Sequence, residues 1–235
     1  MALKDTLIEQ GPAGVTPYAA GANVAFGVAL IRSAARTCKG MKDDNDDTLL
    51  GFSVQPQNGV TLDEDGFYQA SNDASVPDVV RVVRKGAVSN ALGIAKANTS
   101  IIDGDFLEAA PVGDASSYLG VLNEAGSDAG EVMLTTVIAQ ALEDCTMTNA
   151  SYKTPASNIE IGEKTATFSA ANLALLDLKE GDYILLEDVN GNGQLNRVKS
   201  LTSTVITMQL ASTVQVAQAN SDLVYKVFQV KALVL

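Results

Sequence analysis

The chain has no histidine and no tryptophan among its 235 residues. Without histidine there is no Ser-His-Asp or Cys-His catalytic arrangement and no imidazole ligand for a metal. A Gly-x-Ser-x-Gly nucleophile turn and a phosphate-cradling Gly-x-x-x-x-Gly-Lys loop are also missing, so no catalytic residues and no cofactor are expected, and the chain reads as a non-enzyme. Aromatic residues make up 5% of the sequence, too few to favour a carbohydrate-stacking surface. There are two cysteines, Cys38 and Cys145, far apart and outside any Cys-x-x-Cys spacing, and they read as reduced, partly buried thiols. A disulfide between them requires α-carbons within about 7 Å, which sequence leaves open. No apolar run approaches the roughly 18 residues of a membrane helix, so no membrane partner is expected. The first ten residues, Met1 to Gln10, lack the apolar stretch of a secretory signal, which implies folding in a cytoplasm.

Basic residues are also scarce. The formal net charge is −12, and residues 1–150 carry 20 acidic against 9 basic side chains while the remainder carries 8 against 7. Acidity therefore belongs to the first part of the chain. It opposes direct binding to a nucleic-acid backbone, for which only Arg81-Val-Val-Arg-Lys85 offers a short basic stretch. Read as one strand, that stretch puts Arg81, Val83 and Lys85 on one face and Arg84 on the other, as solvated strand ends or an intermolecular salt-bridge patch.

What remains is β-sheet sequence. Hydrophobic content of 46% with 19% charged residues suits a folded chain able to bury a core. Residues 1–20, with Gly11-Pro-Ala-Gly14 and Pro17, read as an irregular N-terminal arm suited to lying on a neighbouring subunit. Residues 21–145 read as one β-rich domain. Its strand-like runs are Ala22 to Ile31, with Gly27 a bulge or close-approach point, then Thr48 to Val54, Val76 to Val83, and Ala129 to Val137. Leu50-Gly51, Leu92-Gly93 and Leu119-Gly120 each precede apolar residues, a weak echo of the bends that curl small sheets into barrels. Residues 146–158 read as a linker, and 159–235 as a small SH3-like barrel. That last module contains Ser169 to Leu176 as one short helix with Ser169 at its N-cap, and an Asn190-Gly-Asn-Gly193 hairpin between strands. The fold class expected is therefore mainly β: an N-terminal barrel or sandwich followed by a small barrel with one helix.

One stretch matches a ligand pattern. Asp188-Val-Asn190-Gly-Asn192-Gly193 fits the first half of a calcium loop, but Lys199 stands at the twelfth position, where a bidentate glutamate belongs. Asp188, Asn190 and Asn192 are weak metal candidates, and the hairpin explains them without a metal. The acidic loop Asp43, Asp44, Asp46, Asp47 reads as solvated surface, with hard-cation chelation at a subunit contact the alternative.

Val79 to Val88 with its Lys85-Gly86 turn, Ile102-Asp-Gly-Asp-Phe-Leu107, Gly120-Val-Leu122 and Ala129-Gly-Glu-Val-Met-Leu134 resemble the capsid decoration, or cement, proteins of tailed viruses. The likeness covers roughly residues 75–140, and 15–55 more loosely through Gly21 to Leu30 and Leu50-Gly-Phe52. It implies a homo-oligomer, with a trimer favoured, bound outside an icosahedral shell across junctions between major capsid subunits. It also implies the virion surface as location after synthesis in the host cytoplasm. The C-terminal module departs from minimal members of that family, which leaves a tail-tube or baseplate subunit as an alternative reading. A surface-adhesion or carbohydrate-binding module is a second alternative.

Overall fold

A computed structural model describes residues 16–41, 49–54, 66–68, 79–94, 100–110, 119–125, 137–145, 152–188, 190–218 and 223–235. Among these residues the fold is mainly β, with two closed five-stranded barrels, a six-stranded sheet and one helix. The first barrel is built from β1 (Thr16–Ala20), β3 (Ala29–Ala34), β4 (Thr37–Gly40), β5 (Leu49–Val54) and β7 (Val79–Val83), in the order β1-β4-β3-β5-β7. A two-stranded ribbon of β2 (Val24–Ala25) and β6 (Phe67–Tyr68) lies outside that order. The second barrel comprises β8 (Val88–Gly93), β9 (Phe106–Ala109), β10 (Leu122–Glu124), β11 (Ala139–Ala141) and the last strand of the chain, β18 (Phe228–Val234).

Small barrels close only if their strands bend, and the glycines show where. Gly51 takes φ +144° beside a register shift between Leu30 and Ile31, and a Cβ there would stand 2.0 Å from the Val83 carbonyl oxygen. The bend expected at Leu50-Gly51 is thus a bulge that only glycine permits. Gly27 and Gly120 join the barrels through their backbones. Leu92 N–H donates to the Gly27 carbonyl at 2.7 Å, Ala29 N–H to the Gly120 carbonyl at 2.7 Å, and Gly120 N–H to the Met41 carbonyl at 2.7 Å. A buried backbone group without such a partner costs about 1–3 kcal/mol, so these bonds fix how the barrels meet.

The C-terminal region forms an antiparallel sheet of β12 (Tyr152–Lys153), β13 (Thr165–Thr167), β14 (Tyr183–Glu187), β15 (Gly193–Leu201), β16 (Val205–Met208) and β17 (Leu223–Lys226). Ala156 N–H donates to the Thr167 carbonyl at 2.7 Å, tying the segment after β12 to β13, so the two edges of the sheet curl together. The helix α1 (Ala170–Leu176) covers its core. Ser169 caps it by accepting from Asn172 N–H at 3.1 Å, and the two buried positions are Leu173 and Leu176, as their spacing requires. The other end stops at Asp177 in a left-handed conformation, whose carbonyl accepts from Lys226 Nζ at 2.8 Å.

The β2–β6 ribbon is the seam between the first barrel and this sheet. Phe26 meets Tyr68 edge-on at 5.1 Å, Phe67 meets Tyr183 edge-on at 5.6 Å, and the Tyr183 hydroxyl donates to the Gly66 carbonyl. One buried cluster runs without interruption from Leu30, Val80 and Val82 of the barrel to Leu185, Leu195 and Tyr225 of the sheet. Fully burying each such side chain contributes about 1.5–3 kcal/mol.

Four expectations need correction. Residues 16–20, expected to end an irregular arm, form β1 and pair with both β4 and β7. The run Ala22 to Ile31 is two strands, because Gly27 turns the chain at φ +80°. β7 stops at Val83, so Lys85 stands in a turn and does not share a strand face with Arg81. β18 pairs with β8 and β11, so residues 228–234 complete the second barrel and are not part of the C-terminal sheet. Its alternation, with Val230, Ala232 and Val234 buried, fits a barrel wall as well as the sheet to which sequence order assigned it. The strand expected at 129–137, up to residue 136, and the arm before residue 16 lie outside the described residues.

Candidate functional site

The acidic residues that follow glycines are the first candidates, and geometry gives them a local role. Three turns share one construction: Ile102-Asp-Gly-Asp105, Glu160-Ile-Gly-Glu163 and Lys179-Glu-Gly-Asp182. In each the third residue is glycine with φ near +90°, and the fourth N–H donates to the first carbonyl at 3.1 Å. That is the geometry of a type II turn. The fourth residue's carboxylate then accepts from the first residue's N–H, at 2.8 Å for Asp105, 2.9 Å for Glu163 and 2.8 Å for Asp182. A Gly-Asp or Gly-Glu pair is therefore a turn that caps itself. The turn at Arg84-Lys-Gly-Ala87 has the same glycine without the carboxylate.

The metal candidates come together in the hairpin between β14 and β15. Asp188 Oδ1 accepts from Asn190 N–H at 2.9 Å and Asn192 N–H at 2.8 Å, and Oδ2 accepts from Asn192 Nδ2 at 2.8 Å. Gly191 supplies the positive φ, +79°, that the tight loop needs. The carboxylate is thus committed to holding the loop. The Asp43–Asp47 loop lies outside the described residues.

Both cysteines are free. Burial pushes the Cys38 thiol up to about 12. Burial, helped by the Glu143 and Asp144 carboxylates, pushes Cys145 up to about 11. Neither thiol has the electropositive surroundings of a nucleophile. In the basic stretch, Arg84 Nη2 donates to the Tyr18 hydroxyl at 3.0 Å. A hydrogen bond from Arg32 first, and then Arg84, hold the Tyr18 phenol below its ordinary value against the opposing effect of burial. Arg84 is thus tied to β1 of its own barrel.

Sequence reasoning missed two features. On β15 the buried Gln194 and Asn196 act as backbone substitutes. Asn196 donates to the Leu210 carbonyl and accepts from its N–H, at 2.9 and 3.0 Å; Gln194 donates to the Ala211 carbonyl and accepts from Thr213 N–H, at 2.9 and 2.7 Å. Gln194 lines a cavity of about 210 Å³ that also touches Phe67, Leu119, Leu210 and Thr213. A second cleft, of about 310 Å³, lies beside α1 against Leu201 and Thr202.

The other missed feature is an exposed apolar patch on the second barrel. Ile102, Phe106 and Leu142 are 53%, 46% and 36% exposed. Phe106 is the cross-strand partner of Gln140, Leu142 lies two residues further along the same face, and Gln140 in turn partners Leu233 of β18. The turn holding Ile102 is fastened to this strand by Gly104 N–H on the Ala141 carbonyl at 3.0 Å and Asp103 N–H on Asp144 Oδ1 at 2.8 Å. The sequence did carry a signal: Phe106 and Leu107 are consecutive apolar residues in one strand, so one must face outward.

Fold and surface together define a mainly β protein of fused five-stranded barrels whose candidate sites are turns and exposed patches. No family model matches the chain, and no curated protein matches its sequence.

Proposed function

We propose that this chain is a structural virion protein that binds the outside of an icosahedral capsid as a homo-oligomer, a trimer for preference, and stabilises junctions between major capsid subunits. The observation that carries the reading is the position of the residues behind the resemblance. Val79 to Val88, Ile102 to Leu107 and Gly120 to Leu122 fall on β7, the start of β8, β9 and the start of β10, with the glycine turns at Gly86, Gly104 and Gly120. From Val88 onward these strands belong to one closed barrel, while Ala129 to Leu134 lies outside the described residues. Such a role needs a stiff body and contact area instead of a reaction centre. The backbone bonds through Gly27 and Gly120 and the continuous core across the ribbon supply the stiffness. On this reading the chain is no enzyme, takes no cofactor and contacts neither nucleic acid nor membrane.

The test is re-addition of the purified chain to shells that lack it, followed by sedimentation and electron microscopy. Regular density outside the shell at subunit junctions is the expected result. Assembly of the isolated chain into tubes or rings, with no shell binding, would transfer it to the tail.

A further inference from the structure

We infer that the outer face of the second barrel around β11 is a docking surface for a protein partner that presents an apolar surface rimmed by lysine or arginine. The apolar centre is Ile102, Phe106 and Leu142, large side chains that solvent reaches although Phe106 is paired in β9, Ile102 sits in the turn fastened to β11, and the Leu142 N–H is bonded to β18. Exposed apolar clusters with polar rims mark interaction sites, and one on a rigid wall loses little conformational entropy on binding.

The rim identifies the partner. Asp103 and Asp105 sit in the turn beside Ile102; Glu143 and Asp144 follow Leu142; and Glu124 lies close enough to Asp105 that burial, with that neighbouring carboxylate, holds it above its ordinary range. Against these five carboxylates the adjoining strand contributes one cation, Lys231, whose carbonyl accepts from Leu142 N–H at 2.8 Å. Asp103 and Asp144 are 41 residues apart in sequence and are brought together by the bond from the Asp103 N–H to the Asp144 carboxylate. A second copy laid on this face by a two-fold axis through it would bring acidic rim against acidic rim. A cation-rimmed surface meets the same face without that repulsion. The apolar centre supplies affinity, and the carboxylates supply register and a salt-dependent on-rate.

Two measurements test this, one independent of capsids. The first titrates the isotope-labelled chain with a synthetic peptide of alternating leucine and lysine, followed by NMR. Shifts centred on Ile102, Phe106, Gln140 and Leu142 are expected. Binding should weaken about tenfold or more with the double substitution Phe106→Lys, Leu142→Lys, and with a peptide in which serine replaces leucine. Shifts spread evenly over the acidic surface, or unaffected by the double substitution, overturn the inference. The second measurement rests on the capsid reading and uses shells lacking this chain. The Phe106→Lys, Leu142→Lys variant should lose occupancy, while Ile161→Lys, Leu175→Lys, at exposed positions of the C-terminal region, should bind as the parent does. Equal binding by all three overturns the docking face and leaves the capsid reading standing. Localised peptide binding without any shell binding does the reverse. If the Phe106→Lys, Leu142→Lys variant turns an oligomer into monomers, the face belongs to a second copy and the inference falls. Circular dichroism checks folding, and Phe106→Ser, Leu142→Ser replaces the lysine pair if that pair unfolds.

Discussion

Replacing Gly120 by alanine should separate two costs that glycine turns usually confound. Gly120 has φ +67°, where an L side chain is strained by about 1–2 kcal/mol. Its added Cβ would also stand 2.1 Å from the Ala29 carbonyl oxygen, an atom of a barrel strand that cannot swing aside as a flexible side chain does. Relieving that contact means parting the barrels at two hydrogen bonds, Ala29 N–H to Gly120 and Gly120 N–H to Met41, each worth about 1 kcal/mol net. The sum is about 3–4 kcal/mol, a large share of the roughly 5–15 kcal/mol that holds a folded protein together. Gly86 is the control. It has φ +86° with nothing within 4 Å of its added Cβ, so Gly86→Ala should cost only the backbone strain of about 1–2 kcal/mol. Urea unfolding followed by circular dichroism reads both. With a slope of about 3 kcal/mol/M, Gly120→Ala should lower the midpoint by about 1 M or more and Gly86→Ala by about half of that. Equal shifts for the two variants would refute the idea that close backbone approach at Gly120 fixes the barrels together.

Other consequences follow from single contacts. Tyr183→Phe removes the hydroxyl that reaches the Gly66 carbonyl and should cost about 1–2 kcal/mol at neutral pH by urea unfolding. Burial pushes that phenol well above its usual value, so the folded chain keeps a proton that the unfolded chain releases near pH 10. Stability should therefore fall as pH rises past about 10, more steeply in the parent than in Tyr183→Phe. With the Cys38 thiol near 12 and Cys145 near 11, alkylation by iodoacetamide at pH 8 should run about 10²-fold or more slower in the native chain than in urea. Millimolar calcium should leave the thermal midpoint unchanged, because the Asp188 carboxylate already accepts three hydrogen bonds from its own loop, whereas Asp188→Ala should cost about 1–2 kcal/mol. A calcium-dependent rise in the midpoint would reassign the loop.

Local features were the legible ones. Ser169 and the Leu173/Leu176 spacing marked the helix, Asn190-Gly191 marked the hairpin, and Leu50-Gly51 marked a bend, because each depends on a few neighbouring residues. The partnership of β18 with β8 was hidden, since the alternation of Val230, Ala232 and Val234 specifies a buried face without saying whose. β1 was hidden for a different reason: Pro17 and the preceding glycines read as punctuation, yet a strand can carry proline where its neighbour asks for no N–H. The site was less legible than the fold. Asp188 looked like a ligand by type and is a turn cap by geometry. Gln194 and Asn196 looked like ordinary strand residues, and their grip on residues 210–213 exists only once β15 and that segment lie side by side. The exposed patch needs three segments that the barrel brings together.

The most direct test of the central proposal is the position of this chain in the assembled particle. Electron microscopy at a resolution that shows β-barrels should reveal two fused five-stranded barrels on the outer surface of the shell, over junctions between major capsid subunits. Barrel density in the tail or baseplate, or a shell surface without it, would contradict the account.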